Sequence, residues 1–140
     1  MITVMKETND DNKRREDNID GLLTRRIIGA CYDVHNALGP GFVERTYLQA
    51  LKLALEKEGL NCVAEKSFQV SFEGKQVGFF RSDLLIENKV IVELKSLEGS
   101  IPKLYESQVL SYLKAAKLKV GLLVNFGNRK CVVRRLLLSP

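Results

Sequence analysis

The chain has 140 residues, 22 Lys and Arg against 17 Asp and Glu, and 45% hydrophobic content, enough to build one domain with a real core. No apolar run approaches the roughly 18–20 residues of a membrane-spanning helix, so no membrane partner is expected. Residues 1–18 lack the apolar segment of a secretory signal, which makes the cytoplasm the expected compartment. Cys31, Cys62 and Cys131 are odd in number and widely separated, a pattern that suits neither a disulfide framework nor a zinc site.

Residues 1–18 mix four basic with five acidic side chains and show almost no apolar periodicity. Such a segment cannot bury enough surface to offset its ordering entropy, and it is predicted to be a disordered charged arm ahead of a single domain over 19–140. Beyond Asp20, a suitable N-cap, Leu23, Ile27, Ala30, Cys31, Val34 and Leu38 recur at spacings of three and four, which predicts a helix stopped by Gly39-Pro40-Gly41. Tyr47, Leu48, Leu51, Ala54 and Leu55 predict a second helix, ending at Gly59. The period then drops to two. Phe68, Val70 and Phe72 mark one strand, and a turn at Glu73-Gly74-Lys75 leads into another on which Val77, Phe79, Arg81, Asp83 and Leu85 share a face. Glu87-Asn88-Lys89 turns the chain into a third strand over 90–95. Pro102 suits the first turn of a helix reaching about Lys117, and strands over 120–126 and 131–138 follow around Gly127-Asn128. The order ααβββαββ implies an α/β or α+β fold, one mixed sheet flanked by helices.

Ionic side chains on a half-buried strand need a reason, because an unpaired buried charge is costly. If the last hairpin turn centres on Asn88, Asp83 and Glu93 are equidistant from it and lie opposite each other, with Lys95 beside Glu93. Two carboxylates that close repel unless a cation lies between them, and hard oxygen donors suit Mg²⁺ or Mn²⁺. An ammonium alongside is placed to position a water or to balance charge developing on a phosphate. The same pattern also describes an exposed sheet face with a plain Glu93–Lys95 ion pair. Residues 96–140 carry eight basic against two acidic side chains, a field that favours polyanions such as nucleic acid. A solvated Lys-rich helix face is the plainer account of that excess.

Asp83, nine intervening residues and then Glu93-Leu94-Lys95 resemble the motif of the PD-(D/E)XK nuclease superfamily. Gly41-Phe42-Val43-Glu44-Arg45-Thr46-Tyr47 resembles the signature of the GxxExxY protein family, a branch of it. The likeness continues through Arg81-Ser82-Asp83-Leu84-Leu85, Val92-Glu93-Leu94-Lys95, residues 108–112 and residues 121–127. It implies that Asp83 and Glu93 are metal ligands and catalytic, that Glu44 joins them from the second helix, and that Lys95 is the catalytic lysine. It further implies Mg²⁺ or Mn²⁺ as cofactor and DNA or RNA as partner. Gln108 and Tyr112, one turn apart on a face shared with Tyr105, resemble the QxxxY element of RecB-like members, which contacts substrate. Arg81 is placed to pair with a carboxylate or contact phosphate, and His35 and Tyr47 are accessory candidates that packing would equally explain. Ser82 stands where the motif's name has proline.

The function these readings imply is a metal-dependent nuclease hydrolysing phosphodiester bonds. The alternative is a catalytically silent nuclease-like module that binds nucleic acid or regulates, since fold cannot separate the two. None of the motifs specifies an oligomeric state.

Overall fold

A computed structural model of the chain describes residues 2–4 and 20–138. The elements are β1 (Ile2–Val4), α1 (Gly21–Leu38), α2 (Glu44–Lys57), β2 (Cys62–Phe72), β3 (Lys75–Ile86), β4 (Val90–Lys95), α3 (Lys103–Ala116), β5 (Val120–Asn125) and β6 (Val132–Leu138). They form an α+β fold with one mixed sheet of order β1-β6-β5-β4-β3-β2. The β4–β5 pair is parallel, because α3 carries the chain back between them, and the other pairs are antiparallel. Among the described residues no helix is long and apolar enough to cross a membrane.

Both faces of the sheet are covered. Ile27, Cys31, Tyr47, Leu51 and Leu55 of α1 and α2 pack on Leu84, Val92, Leu94, Leu122 and Val124. On the other side Val109, Leu110 and Leu113 of α3 pack on Leu85, Ile91, Leu123 and Leu136. β4 and β5 are therefore buried from both sides, which is why they read as nearly unbroken apolar runs. A polar residue inside those runs stands out.

Three expectations change on inspection. Ile2–Val4, within the segment expected to be disordered, pair with β6 through Thr3 and Leu137; this short β-branched stretch covers what would otherwise be an open sheet edge. The rest of that predicted arm lies outside the described residues. Asp20 precedes α1 as expected but makes no side-chain cap; only its backbone carbonyl joins the helix, accepting from Thr24. The shared face predicted for Val77 through Leu85 is split at Asp83.

The split has a local cause. The β2–β3 ladder runs without a pair between Ala64–Leu84 and Lys66–Ser82, and Glu65, in the gap, adopts a left-handed φ of 55°. Beyond it the hairpin leaves the sheet as a two-stranded ribbon, which twists more strongly than a sheet. Phe80 and Leu85, five residues apart, consequently pack into the same cluster under α3, while Phe79 and Arg81 are exposed.

Gly127, just past β5, is required for close backbone approach. A Cβ there would lie 2.3 Å from the Leu97 carbonyl oxygen. Gly127→Ala is expected to destabilise the fold by about 3 kcal/mol, the upper end of overpacking costs. Urea denaturation checks this, and an unchanged midpoint would contradict it.

Candidate active site

The site begins at the turn into α2. Gly39 and Gly41 have φ of 71° and 112°, a region other residues rarely adopt. Tyr47 is fully buried; its hydroxyl donates to the Gly39 carbonyl and accepts from the Phe42 N–H at 3.2 Å, and its ring stacks on Phe126 at 4.5 Å. As an accessory candidate Tyr47 is thus a core residue that clamps the turn. Its effect is to hold Glu44 as the first residue of α2, where the positive end of the helix dipole favours a carboxylate. His35, the other accessory candidate, is buried beside Phe126 and donates from Nε2 to the Asn128 carbonyl at 2.7 Å, pinning the loop after β5.

The register centred on Asn88 is the one observed, with Ile86–Val90, Leu85–Ile91 and Leu84–Val92 paired. At the next step the strands part. The Asp83 N–H donates to Glu93 Oε2 and the Leu94 N–H donates to Asp83 Oδ2, both at 2.7 Å. Two side-chain carboxylates thereby stand in for backbone ladder acceptors, leaving Asp83 Oδ1 and Glu93 Oε1 outside the clasp.

Burial sets the electrostatics of this pair. Glu93 is only 6% exposed, and desolvation, with the Asp83 charge second, pushes its carboxyl up to about 8. The clasp and the Lys95 ammonium pull it back down, while Glu44 adds to the rise. Asp83 is also raised, first by burial and then by Glu65, against the opposing pull of the Leu94 N–H and Lys95. Both carboxyls are thus raised, Glu93 the further because it is the more deeply buried and faces the Asp83 charge.

α3 closes the other side. Lys95 Nζ lies 4.0 Å from the centroid of the Tyr105 ring, a cation–π contact that fixes the ammonium. Tyr112 stacks on Phe80 at 4.0 Å, and its hydroxyl is raised by burial and then by the charges of Glu93 and Asp83. Gln108 is half-buried on the helix between these tyrosines. Arg81 is exposed beyond the break in the hairpin, and among the described residues no ion pair joins it to a carboxylate.

Glu44 and Asp83 line one cavity of about 170 Å³ together with Arg45, Leu48, Glu65 and Leu94. Among the described residues no three His, Cys, Asp or Glu side chains form a ready-made metal cluster. Glu44, Asp83, Glu93 and Lys95 are nevertheless electrostatic neighbours, as their mutual effects on Glu93 record.

Two contributors escape the motif reading. Glu65 faces Asp83 across the hairpin and binds Arg45 at 3.2 Å; counting outward from Gly74 would find it, as counting from Asn88 finds Glu93. Asn125, fully buried, ties the loop after β4 by accepting from the Leu97 and Gly127 N–H groups and donating to the Leu97 carbonyl. Its signal is a polar side chain closing an apolar run. The basic excess after Ser96 does not form one patch: Arg135 is fully buried and Lys119 precedes β5 at the end of the sheet away from the site, whereas Arg129 flanks it.

The crystal structure of SSO0001 is similar in fold, with a TM-score of 0.54 at 18% identity, covering 97% of this chain and 70% of that one. No curated protein matches the sequence. The family model of the PD-(D/E)XK nuclease superfamily matches residues 22–136, a span that includes α2 with Glu44 and the parted strands with Asp83, Glu93 and Lys95. By that match over most of its length, the chain belongs to the PD-(D/E)XK nuclease superfamily.

Proposed function

We propose that the protein is a metal-dependent nuclease that hydrolyses phosphodiester bonds of nucleic acid, within the GxxExxY branch of its superfamily. The observation that supports this most is the carboxylate clasp where β3 and β4 part. Burial and the neighbouring Asp83 hold the Glu93 carboxyl up at about 8 in this clasp, a repulsion that a bound cation would relieve. Oxygen donors of this charge fit Mg²⁺ or Mn²⁺, with Glu44 supplying a third carboxylate across the small cavity. When bound, such a cation lowers the pKa of water and neutralises the scissile phosphate.

The chain's own residues then divide the work. Asp83 and Glu93 would hold the cation, their carboxylates oriented by the backbone N–H groups they accept from. Lys95, steadied by Tyr105, favours the ionised forms of both acids and meets negative charge as it develops on the phosphate. Tyr112, Gln108 and Arg81 contact the substrate backbone. The rival reading, a silent nucleic-acid-binding module, draws on the lack of a ready-made three-ligand cluster among the described residues. Thermal unfolding tests the ligand assignment, which cleavage then takes further: Mn²⁺ is expected to raise the midpoint of the wild type and not that of Asp83→Ala. Equal shifts for the two proteins would count against the ligand assignment.

A further inference from the structure

We infer that the large opening beside Glu44 seats an unpaired nucleotide flanking the scissile phosphate, which makes the substrate single-stranded nucleic acid. The inference rests on the nuclease reading and deepens it. The opening is a broad surface depression of about 980 Å³, and Glu44 lines both it and the small cavity that holds Asp83. A group bound there is therefore adjacent to the carboxylates.

Apart from the start of α2 its walls are loops, held by polar side chains. The Phe42 carbonyl accepts from Ser96 Oγ at 2.6 Å and its N–H donates to the Tyr47 hydroxyl at 3.2 Å. Across the opening, the Asn128 carbonyl is held by His35 at 2.7 Å, and the Asn128 side chain bonds both the N–H and the carbonyl of Gly99, at 2.9 and 2.8 Å. A cleft framed this way loses little entropy when a ligand enters.

The groups presented to it match the parts of a nucleotide. Phe42 is 47% exposed while packed edge-on against Tyr47, so its ring is anchored and still accessible. Exposed aromatic rings stack on bases, and a base inside a duplex has no free face to offer. Arg45 and Arg129 line the same opening with guanidinium groups suited to phosphate oxygens. The exposed Arg45–Glu65 pair is weak enough to release Arg45. Glu98, also in the lining, accepts from base amines or a ribose hydroxyl.

The test is fluorescence anisotropy with labelled DNA and RNA single strands and blunt duplexes of equal length, in EDTA and in Ca²⁺. Wild type should bind a single strand at least tenfold tighter than the duplex. Phe42→Ala should weaken single-strand binding by roughly tenfold and spare duplex binding, and Phe42→Tyr should restore it. Arg129→Gln should lower the slope of affinity against salt by about one phosphate contact. Phe42→Ala keeps both backbone hydrogen bonds, and a thermal melt confirms that it folds. Equal affinity for single strand and duplex, with Phe42→Ala unchanged, would overturn the inference and leave the nuclease reading intact. Failure of the wild type to bind any of these nucleic acids in either buffer would overturn both.

Discussion

Lys95→Ala is expected to keep the fold and most of the binding of metal and nucleic acid while single-turnover cleavage falls by about 10² to 10³. That is the usual worth of a group aimed at charge developing in a transition state. Lys95 is positioned to act this way, because its ammonium lies over the Tyr105 ring, forms no salt bridge among the described residues, and pulls the carboxyls of both Asp83 and Glu93 down. Losing it also lets both carboxyls rise further, so the comparison belongs at saturating Mn²⁺. A silent module makes a different forecast. There the wild type is already inert, and the substitution alters at most a local interaction worth roughly 1 kcal/mol or less. A Lys95→Ala protein cutting at the wild-type rate would remove this residue from the mechanism and leave the carboxylates in place.

Metal-free stability is expected to fall as pH rises, and Glu93→Gln is expected to abolish most of the fall. Burial and the Asp83 charge raise the Glu93 carboxyl from 4.5 in the unfolded chain to about 8 in the folded one. Between those values the native state binds a proton that the unfolded state has released, so stability decreases with pH and levels off above about 8. The stabilising contribution is complete only below the unfolded value. Asp83, raised by burial, acts in the same direction. The total is of the order of a few kcal/mol. Glutamine stays neutral at every pH and still presents an oxygen to the Asp83 N–H. Urea denaturation in EDTA at about pH 5.5 and about pH 8.5 reads the difference. Added Mn²⁺ at the higher pH should restore the wild type and do little for Glu93→Gln. Parallel pH profiles for the two proteins would contradict the proton held at this pair.

Much of this site is legible because strand arithmetic is rigid. Asp83 and Glu93 are equidistant from Asn88, and once that turn is recognised no other residue can face Asp83 from β4. Gly39 and Gly41 announce the break between the first two helices for the same kind of reason, since their φ angles exclude most side chains. The phase of the β2–β3 ribbon is different. It depends on Glu65 adopting a left-handed conformation, for which glutamate has no local preference, so alternation alone carries the pattern straight through Asp83. Likewise Tyr47 and His35 are polar-tipped residues on helices, and only the return of β5 and the loop after it decides that they hold backbone rather than substrate. The carboxylate clasp itself is a tertiary event: it requires two strands to part where register alone would continue the ladder.

The most direct measurement is cleavage of a mixed panel of labelled nucleic acids, single- and double-stranded DNA and RNA, by wild type and Asp83→Ala in Mn²⁺, Mg²⁺ and EDTA. The wild type is expected to cut at least one substrate with either cation and none in EDTA, and Asp83→Ala to lose that activity by orders of magnitude. A wild type that binds cation and nucleic acid yet cuts nothing on the panel, or an Asp83→Ala protein as active as its parent, would contradict the nuclease reading.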